Sequence, residues 1–260
     1  MAKRTIAGSR VLLTGASSGI GRALATQLVA QGARVLAIAR RRERLEELAQ
    51  QLTAALGRLE ILAGDITSAE LRDAALACAR ERLGGLDMLI NNAGSGAMGP
   101  FAEATAERLR QVMDVNFFAP AEMIRTALPL LKSGNRPLVV NVSSVLGHRG
   151  VPFCAEYCAS KFALQGLSES LRAELVPSGI DLLVVSPART DTEFFSQAIK
   201  GEQSRWPKMR GTSSEFVAAR TLSAIRTGRH EIVLTPGGKL FVWANRLFPR
   251  LMDSLVARYT

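Results

Sequence analysis

The chain has 260 residues, of which 47% are hydrophobic and 22% charged, a composition typical of globular soluble proteins and not of disordered ones. No apolar run reaches the roughly 18 residues that a transmembrane helix needs, and the short apolar stretch behind the basic N-terminus argues against a cleaved signal peptide. The net charge of +10 comes from basic residues scattered along the chain, so we expect a solvated surface and no nucleic-acid partner.

Short aliphatic runs alternate with amphipathic segments along the chain. The aliphatic runs predict seven β-strands, the last of them weak, at residues 10–15, 33–39, 59–65, 86–94, 137–144, 180–187 and 230–235. The segments between them have helical periodicity, at residues 22–31, 41–52, 69–83, 105–131, 155–176 and 213–227. Continuous apolar strands separated by helices predict a parallel sheet that is buried on both faces.

The fold class that follows is α/β, with a doubly wound, Rossmann-type, mostly parallel seven-stranded sheet flanked by helices on both faces. No linker rich in proline, glycine or serine divides the chain, and no repeat or low-complexity segment is present. We therefore expect a single domain over residues 1–260.

A glycine-rich stretch, TGASSGIG at residues 14–21, lies where the first strand passes into the first helix. The spacing of Gly15, Gly19 and Gly21 differs from the GxGxxG pattern, but the physical reason is shared. Small residues let the backbone approach a pyrophosphate at the N-terminus of a helix. A tight turn between strand and helix would also need glycine. The position after the first strand of an alternating chain favours a nucleotide site.

The end of the second strand discriminates between the two nicotinamide cofactors. An acidic residue there is typical of NAD sites, because it binds the ribose hydroxyls. This chain reads AIARRR instead, which puts Arg40 and Arg41 where an adenosine 2′-phosphate would lie, with no carboxylate there to repel it. We predict NADP(H) in preference to NAD(H). The alternative interpretation is a basic first turn of an exposed helix.

Four polar residues complete the pattern. Ser144 follows the fifth strand and precedes Tyr157 by 13 residues, and Lys161 comes four residues after Tyr157, on the same face of a predicted helix. Asn116 lies inside another predicted helix. Together with the glycine stretch, this set resembles the short-chain dehydrogenase/reductase family over residues 10–187.

The resemblance implies an oxidoreductase whose catalytic residues are Asn116, Ser144, Tyr157 and Lys161. Tyr157 would exchange a proton with a carbonyl or alcohol oxygen, while Lys161 would favour its phenolate and hydrogen-bond the cofactor ribose. Ser144 would donate a hydrogen bond to the substrate oxygen. Asn116 would hold a local helix distortion and a water that relays protons.

The same resemblance implies cofactor contacts from the glycine stretch, from several strand ends and from the segment after the sixth strand. The implied residues are Gly15, Ser17, Ser18, Gly19, Ile20, Gly21, Arg40, Arg41, Asp65, Ile66, Asn92, Ala93, Gly94, Tyr157, Lys161, Pro187, Ala188, Thr190 and Thr192. Two of them depart from the family pattern, since Ala188 stands where glycine is usual and Thr190 replaces an aliphatic residue. If the backbone at residue 188 needs a positive φ, alanine would be strained there.

Residues 190–214 are expected to form a lid over the substrate, as the resemblance implies. The segment mixes apolar and basic side chains, namely Phe194, Phe195, Ile199, Lys200, Arg205, Trp206, Lys208 and Arg210. One interpretation is an apolar pocket with a cationic rim, and the other is a mobile surface helix.

The tail, residues 239–260, keeps an amphipathic helical stripe that Pro249 interrupts. Four basic residues against one acidic residue give it a net charge of +3. Three interpretations stay open: packing on its own pocket or on a second subunit, attachment to an anionic membrane surface, or an exposed tail without function.

The three cysteines, Cys78, Cys154 and Cys158, form no plausible disulfide framework. They have no cluster of His or Asp beside them, so we predict no metal site. Their pattern is typical of small buried side chains in a reducing compartment, which favours a cytoplasmic protein.

The leading hypothesis is an NADP(H)-dependent oxidoreductase that transfers hydride between nicotinamide and a small-molecule carbonyl/alcohol pair, on an apolar substrate. We expect a homodimer or homotetramer. The alternatives are a 3-oxoacyl-carrier-protein reductase and a non-catalytic, nucleotide-sensing regulator. The intact Ser144, Tyr157 and Lys161 argue against the regulator, because a protein without chemistry need not keep them.

Overall fold

The computed structural model describes residues 2–194, 196–200 and 211–258. The strands in these ranges are β1 (Arg10–Thr14), β2 (Arg34–Ala39), β3 (Arg58–Ala63), β4 (Met88–Asn91), β5 (Ala97–Met98), β6 (Leu138–Val142), β7 (Asp181–Ser186), β8 (Ile199–Lys200) and β9 (Glu231–Val233). The α-helices are α1 (Gly19–Ala30), α2 (Arg42–Gln51), α3 (Ala69–Cys78), α4 (Ala106–Met113), α5 (Ala119–Lys132), α6 (Ala155–Glu174), α7 (Ser214–Thr227), α8 (Pro236–Leu247) and α9 (Pro249–Ala257).

Seven of the strands form one sheet in the order β3-β2-β1-β4-β6-β7-β9. Each neighbouring pair in it is parallel. This arrangement confirms the predicted doubly wound sheet, and it includes the weak seventh strand.

Side chains from alternate positions of each strand enter two separate cores, one on each face of the sheet. Val11 and Leu13 pack with residues of α1, α2 and α7, whereas Leu12 packs with residues of α3 and α5. Because both faces are covered by helices, every residue of such a strand meets apolar surroundings. The continuous aliphatic runs of the sequence have this cause.

The strand order places a crevice at the carboxyl ends of β1 and β4. From β1 the chain moves outward through β2 and β3, and it then crosses back to β4 and continues through β6, β7 and β9 in the other direction. The loops after β1 and β4 therefore separate at this point, where ligands bind in open parallel sheets.

The observed β4 is shorter than the predicted strand, which extended to residue 94. Beyond Asn91 the backbone N–H groups of Asn92 and Ala93 donate to the side-chain hydroxyl of Thr14, 3.0 Å away in each case, and not to a backbone carbonyl of a neighbouring strand. The sequence analysis also missed the two-residue strands β5 and β8, which pair with each other. Residues 97–98 and 199–200 are far apart in the chain, and no local pattern indicates their pairing.

Two short segments of π-helix interrupt the regular α-helices. One covers Ala79–Leu83 at the end of α3, and the other covers Asp114–Phe118, between α4 and α5. We call the second one the π turn. Within the described ranges no helix is both long enough and apolar enough to span a bilayer.

Candidate active site

Helix α6 and the end of β6 bring three of the proposed catalytic residues together. Tyr157 and Lys161 project from the first turns of α6, and the Lys161 Nζ lies 5.8 Å from the centre of the Tyr157 ring. Ser144 follows β6 and begins a 3₁₀ turn, where its Oγ accepts from the Leu146 N–H at 3.1 Å, and its side chain interacts with the Tyr157 hydroxyl. The Lys161 ammonium donates to the Val142 carbonyl at 3.0 Å, which fixes it beneath the tyrosine.

Desolvation governs the protonation of Tyr157 and Lys161. Desolvation raises the pKa of the Tyr157 phenol, and the hydrogen bond from Ser144 opposes that shift. Desolvation also lowers the pKa of Lys161 to about 8. We expected Lys161 to lower the pKa of Tyr157, but the net direction is upward because desolvation exceeds the favourable interactions. At neutral pH the phenol is therefore protonated, and Lys161 is mostly charged.

Asn116 lies at the centre of the π turn and is fully buried. Its Oδ1 accepts from the Ser95 N–H at 2.8 Å, and its Nδ2 donates to the Ser95 carbonyl at 2.8 Å and to the Ser160 hydroxyl at 2.9 Å. Ser160 precedes Lys161 on α6, and Ser95 belongs to the loop after β4. The side chain thus ties that loop, the π turn and α6 to one another.

The glycine stretch is held in a tight turn against the loop after β4. Gly15 has a φ of 72°, and a Cβ at Gly21 would overlap the Gly15 carbonyl oxygen, so neither position accepts a larger residue without movement. The Asn92 Nδ2 donates to the carbonyls of Thr14 and Gly15 at 3.0 and 3.2 Å. Ser18 precedes α1 without a side-chain cap, which leaves the first-turn N–H groups available to an anion.

The two arginines after β2 have different surroundings. Arg41 lies on the glycine stretch, where its guanidinium donates to the hydroxyls of Ser17 and Ser18 at 3.2 and 2.8 Å. Arg40 is exposed to solvent. Of the two residues that the sequence indicated, Arg41 is the one directed at the glycine stretch.

A carboxylate that the sequence analysis missed occupies the other side of Arg41. Glu193, from the start of the expected lid, accepts from Arg41 at 2.8 Å and from Arg44 at 3.4 Å. The hydrogen bond from Arg41 lowers the pKa of Glu193. We expected no carboxylate at this point, but Glu193 reaches it from a segment 152 residues away, which no local pattern reveals.

The other implied cofactor residues lie around the same crevice. Asp65 is exposed and accepts from the Thr67 backbone N–H, whereas Ile66 is buried in the core under α3 and α5. Ile20 is partly buried in α1. A Cβ on Gly94 would lie 3.2 Å from the Asn116 Oδ1, so this loop runs directly past the π turn.

The segment after β7 crosses over the glycine stretch. Thr192 approaches it closely, since a Cβ on Gly19 would lie 2.9 Å from the Thr192 methyl group. Thr190 is buried, donates to the Ala188 carbonyl at 3.2 Å and forms a bridge with Thr212. Ala188, which follows Pro187, is not strained. The described non-glycine residues with a positive φ are Arg136 and Phe153, and Ala188 is not one of them. Alanine therefore replaces glycine at residue 188 without conformational cost.

An apolar wall stands beside Tyr157. The ring of Phe194 meets the Tyr157 ring edge-on, with 5.5 Å between centroids. Next to it lies a small buried cluster that the sequence analysis missed, formed by Met98, Cys154, Cys158 and Ala198. Met98 lies in β5 and Ala198 directly precedes β8, so the long-range pairing of these two strands builds the wall.

Part of the expected lid falls outside the described residues. Phe195, Arg205, Trp206, Lys208 and Arg210 belong to it, so the predicted cationic rim has no structural description here.

A buried ion pair supports the first turn of α6 from α4. The Arg108 Nε donates to the Glu156 Oε1 at 2.7 Å, and both side chains are at most 8% exposed. Glu156 directly precedes Tyr157. Within the described part of the chain, the Glu156 Oε2 has no hydrogen-bond donor. The sequence analysis missed this pair because its members lie on different helices, 48 residues apart.

Known proteins resemble this chain along most of its length. A family model described as short chain dehydrogenase matches residues 9–203. Dehydrogenase/reductase SDR family member 7B of Xenopus tropicalis is 33% identical over 95% of this chain and 84% of its own. Ketoacyl reductase HetN of Nostoc sp. is 31% identical over 96% and 89%. The NADPH-dependent pterin aldehyde reductase of Arabidopsis thaliana is 33% identical over 91% and 93%.

Solved structures agree with this relationship. The crystal structure of a short chain dehydrogenase from Burkholderia cenocepacia J2315 in complex with NADP has a TM-score of 0.82 to this chain, at 29% identity, and the match covers 97% of this chain and 99% of the other. The segment matched by the family model includes the glycine stretch, the π turn and the first turns of α6. The chain therefore belongs to the short-chain dehydrogenase/reductase family of NAD(P)-dependent oxidoreductases.

Proposed function

We propose that the protein is an NADP(H)-dependent oxidoreductase that interconverts carbonyl and alcohol groups of apolar small molecules, with Ser144, Tyr157, Lys161 and Asn116 as its working residues. The observation that carries the proposal is the convergence of Ser144 and Tyr157, whose side chains interact, beside the buried Lys161 ammonium 5.8 Å from the Tyr157 ring. Two hydroxyls converge there beside an apolar wall.

In the direction of reduction, Tyr157 acts as the acid. Its raised pKa keeps the phenol protonated at neutral pH, and that form donates a proton to a carbonyl oxygen. Ser144 donates a hydrogen bond to the same oxygen and stabilises the charge that develops on it. The reduced nicotinamide, when bound, supplies the hydride to the carbonyl carbon.

Lys161 and Asn116 support this proton transfer from below. The Lys161 charge stabilises the phenolate that Tyr157 leaves behind, because opposite charges attract strongly in a desolvated site. Asn116 acts as a positioning residue, since its bonds to Ser95 and Ser160 fix α6 against the loop after β4. In the direction of oxidation, the same phenolate accepts the alcohol proton.

The residues around the glycine stretch fit a dinucleotide that carries a 2′-phosphate. The tight turn of Gly15 and the uncapped start of α1 would hold the pyrophosphate, and Arg41 with Ser17 and Ser18 would hold the 2′-phosphate. The name of the Arabidopsis relative states NADPH dependence, which supports NADP(H) here. The solved structures of similar fold include complexes with NADP and with NAD, so they support a dinucleotide but not the preference.

The wall of Phe194, Met98 and Ala198 supports an apolar substrate. A second candidate is reduction of a 3-oxoacyl chain on a carrier, which is favoured by the name of the Nostoc relative, a ketoacyl reductase. A panel of apolar ketones, aldehydes and 3-oxoacyl thioesters, assayed by NADPH oxidation, separates the two candidates.

The assembly and location that we propose are a homodimer or homotetramer in the cytoplasm. Leu109, Phe118 and Phe162 are exposed on α4, the π turn and α6, three elements that pack against one another, and exposed apolar side chains of this kind suit a contact with a second copy. Light scattering on the purified chain measures this assembly directly.

The replacement Tyr157→Phe tests the mechanism. We expect turnover to fall by at least about 100-fold, because the proton donor is removed, while the dissociation constant for NADPH changes little. The retained NADPH binding is the control for folding. Turnover close to that of the parent protein would contradict the proposal, and loss of turnover together with NADPH binding would point to a structural role instead.

A further inference from the structure

The last two helices turn a row of large apolar side chains toward solvent. Its members, between 40% and 71% exposed, are Leu240, Trp243, Leu247, Phe248, Leu251 and Leu255. We call this row the tail face. Leu240, Trp243 and Leu247 follow the spacing i, i+3, i+7 in α8, and Leu251 and Leu255 the spacing i, i+4 in α9, so each set lies on one side of its helix. Phe248 lies between the two helices.

Other residues of the same helices fix the tail to the body. Val242 of α8 and Met252 of α9 are buried, 3% and 7% exposed. Arg149 donates to the Asn245 Oδ1 at 3.1 Å and pairs with Asp253 at 2.5 Å, and the Asn245 Nδ2 donates to the His148 carbonyl at 3.0 Å. The tail face is therefore held in a fixed orientation on the folded protein.

Basic residues surround the tail face. Lys239, Arg246, Arg250 and Arg258 are all exposed, and the acidic residue of this segment, Asp253, is already paired with Arg149. The Arg246 guanidinium carbon lies 6.0 Å from the centre of the Trp243 ring. Tryptophan and arginine in such contact are typical of the boundary between headgroups and acyl chains.

The charge distribution discriminates between a second copy and a lipid surface. A symmetric contact between two tail faces would bring the same four cations of each copy together, and like charges at an interface are unfavourable. A bilayer rich in anionic lipid offers the complement, because its phosphates meet the cations and its acyl boundary accepts the apolar row.

We propose that the tail face docks the protein on the surface of an anionic bilayer, with α8 and α9 lying in the plane of the headgroups. This docking goes beyond the proposed reaction and does not depend on it. It brings the enzyme to the phase in which apolar carbonyl compounds are concentrated.

Co-sedimentation with vesicles tests the docking on the full chain. We expect binding to vesicles of phosphatidylcholine mixed with phosphatidylglycerol, weak binding to phosphatidylcholine alone, and loss of binding at high salt. The double variant Arg246→Gln/Arg250→Gln should bind about 25-fold more weakly, at about fivefold for each cation near an anionic surface. The variant Leu247→Glu/Leu251→Glu should lose binding, and circular dichroism checks that it folds.

A matched control separates the tail face from the general positive charge of the chain. Arg80 and Arg220 are exposed and lie outside the tail, so Arg80→Gln/Arg220→Gln changes the net charge equally. We expect this control to bind vesicles nearly as well as the parent protein. Equal weakening by both pairs of replacements would overturn the proposal.

A spectroscopic signal reports on Trp243 itself. The chain has two tryptophans, so Trp206→Phe leaves Trp243 as the single emitter, and its emission should shift to the blue with anionic vesicles. No shift, or no vesicle binding by the parent protein, overturns the proposal. A lower molecular mass for Leu247→Glu/Leu251→Glu in solution would also overturn it, in favour of a second copy. Turnover of a soluble substrate by the Arg246→Gln/Arg250→Gln variant should equal that of the parent, so a failed reaction and failed docking remain distinguishable.

Discussion

The two ends of the proposed site differ in how far their polar side chains are buried. We call the end with Tyr157, Lys161 and Asn116 the reacting end, and the end with Arg41 and Glu193 the phosphate end. At the reacting end, Lys161 and Asn116 are 4% and 0% exposed, and desolvation determines the pKa values. At the phosphate end, the side chains of Arg41 and Glu193 are each 40% exposed and form an ion pair in contact with water. Buried groups are costly to leave unpaired, whereas exposed ion pairs contribute little. The proposed reacting residues are therefore rigidly positioned, while Arg41, the proposed phosphate ligand, is held by a weak and exchangeable contact.

The buried ion pair beneath α6 should show the largest effect. Arg108→Met leaves the Glu156 carboxylate buried and uncompensated, and we expect it to lower the free energy of unfolding by about 3–5 kcal/mol. Urea denaturation measures this loss. The control is Arg125→Met, which removes an exposed partner of Glu122 and should leave stability unchanged within error. Similar losses for both variants would contradict the expectation that the buried ion pair matters more for stability than the exposed one.

Removal of the guanidinium on the glycine stretch should come next. Arg41→Ala should raise the dissociation constant for NADPH by about 10- to 100-fold, the range expected for hydrogen bonds to a charged group, with little change for NADH. Fluorescence titration with both cofactors measures the two constants. Arg40→Ala, at the exposed neighbouring position, is the matched control and should change NADPH binding less. An equal loss for NADH would show that Arg41 has a structural role only.

The buried lysine predicts a pH dependence for the reacting end. Desolvation lowers the pKa of Lys161 to about 8, and its protonated form is the one that stabilises the phenolate. The ratio kcat/KM for NADPH, which reports on the free enzyme, should thus be constant below that pH. Above it the ratio should decline toward a slope of about tenfold per pH unit. A profile that stays level to pH 10 would mean that the charge of Lys161 is not needed.

The smallest effect concerns the carboxylate that covers Arg41. Glu193→Gln keeps the size of the side chain but removes the charge that competes with a phosphate for the guanidinium. We expect NADPH to bind about two- to fivefold more tightly, in keeping with a solvent-exposed pair, and NADH to be unaffected. Isothermal titration measures both. Weaker NADPH binding would mean that Glu193 orients Arg41 and does not compete with the phosphate.

The reacting end is readable from the sequence because its parts are local. Tyr157 and Lys161 are one helical turn apart, and Ser144 follows the strand that precedes this helix. The sheet is readable for a similar reason, since burial on both faces leaves continuous aliphatic runs. The resemblance to a family added the roles of these residues, and it pointed to Asn116 inside the helix that the π turn interrupts.

The phosphate end and the apolar wall could not be read in this way. Glu193, the Phe194 contact with Tyr157, and the pair of Arg108 and Glu156 each join residues far apart in the chain. A contact between side chains of different elements produces no periodic pattern in the sequence. Ala188 illustrates the converse, since the family pattern suggested strain where the backbone has none.

The bridge between Thr190 and Thr212 has a consequence for how this enzyme diversifies. It joins the two ends of the expected lid, after β7 and before α7. An insertion between these two residues therefore lengthens a loop whose ends are already held together. The entropy of closing such a loop grows slowly, by about 0.6 kcal/mol for each doubling of its length. Insertions and exchanges in the expected lid should therefore cost little stability and leave the sheet, the glycine stretch and α6 intact.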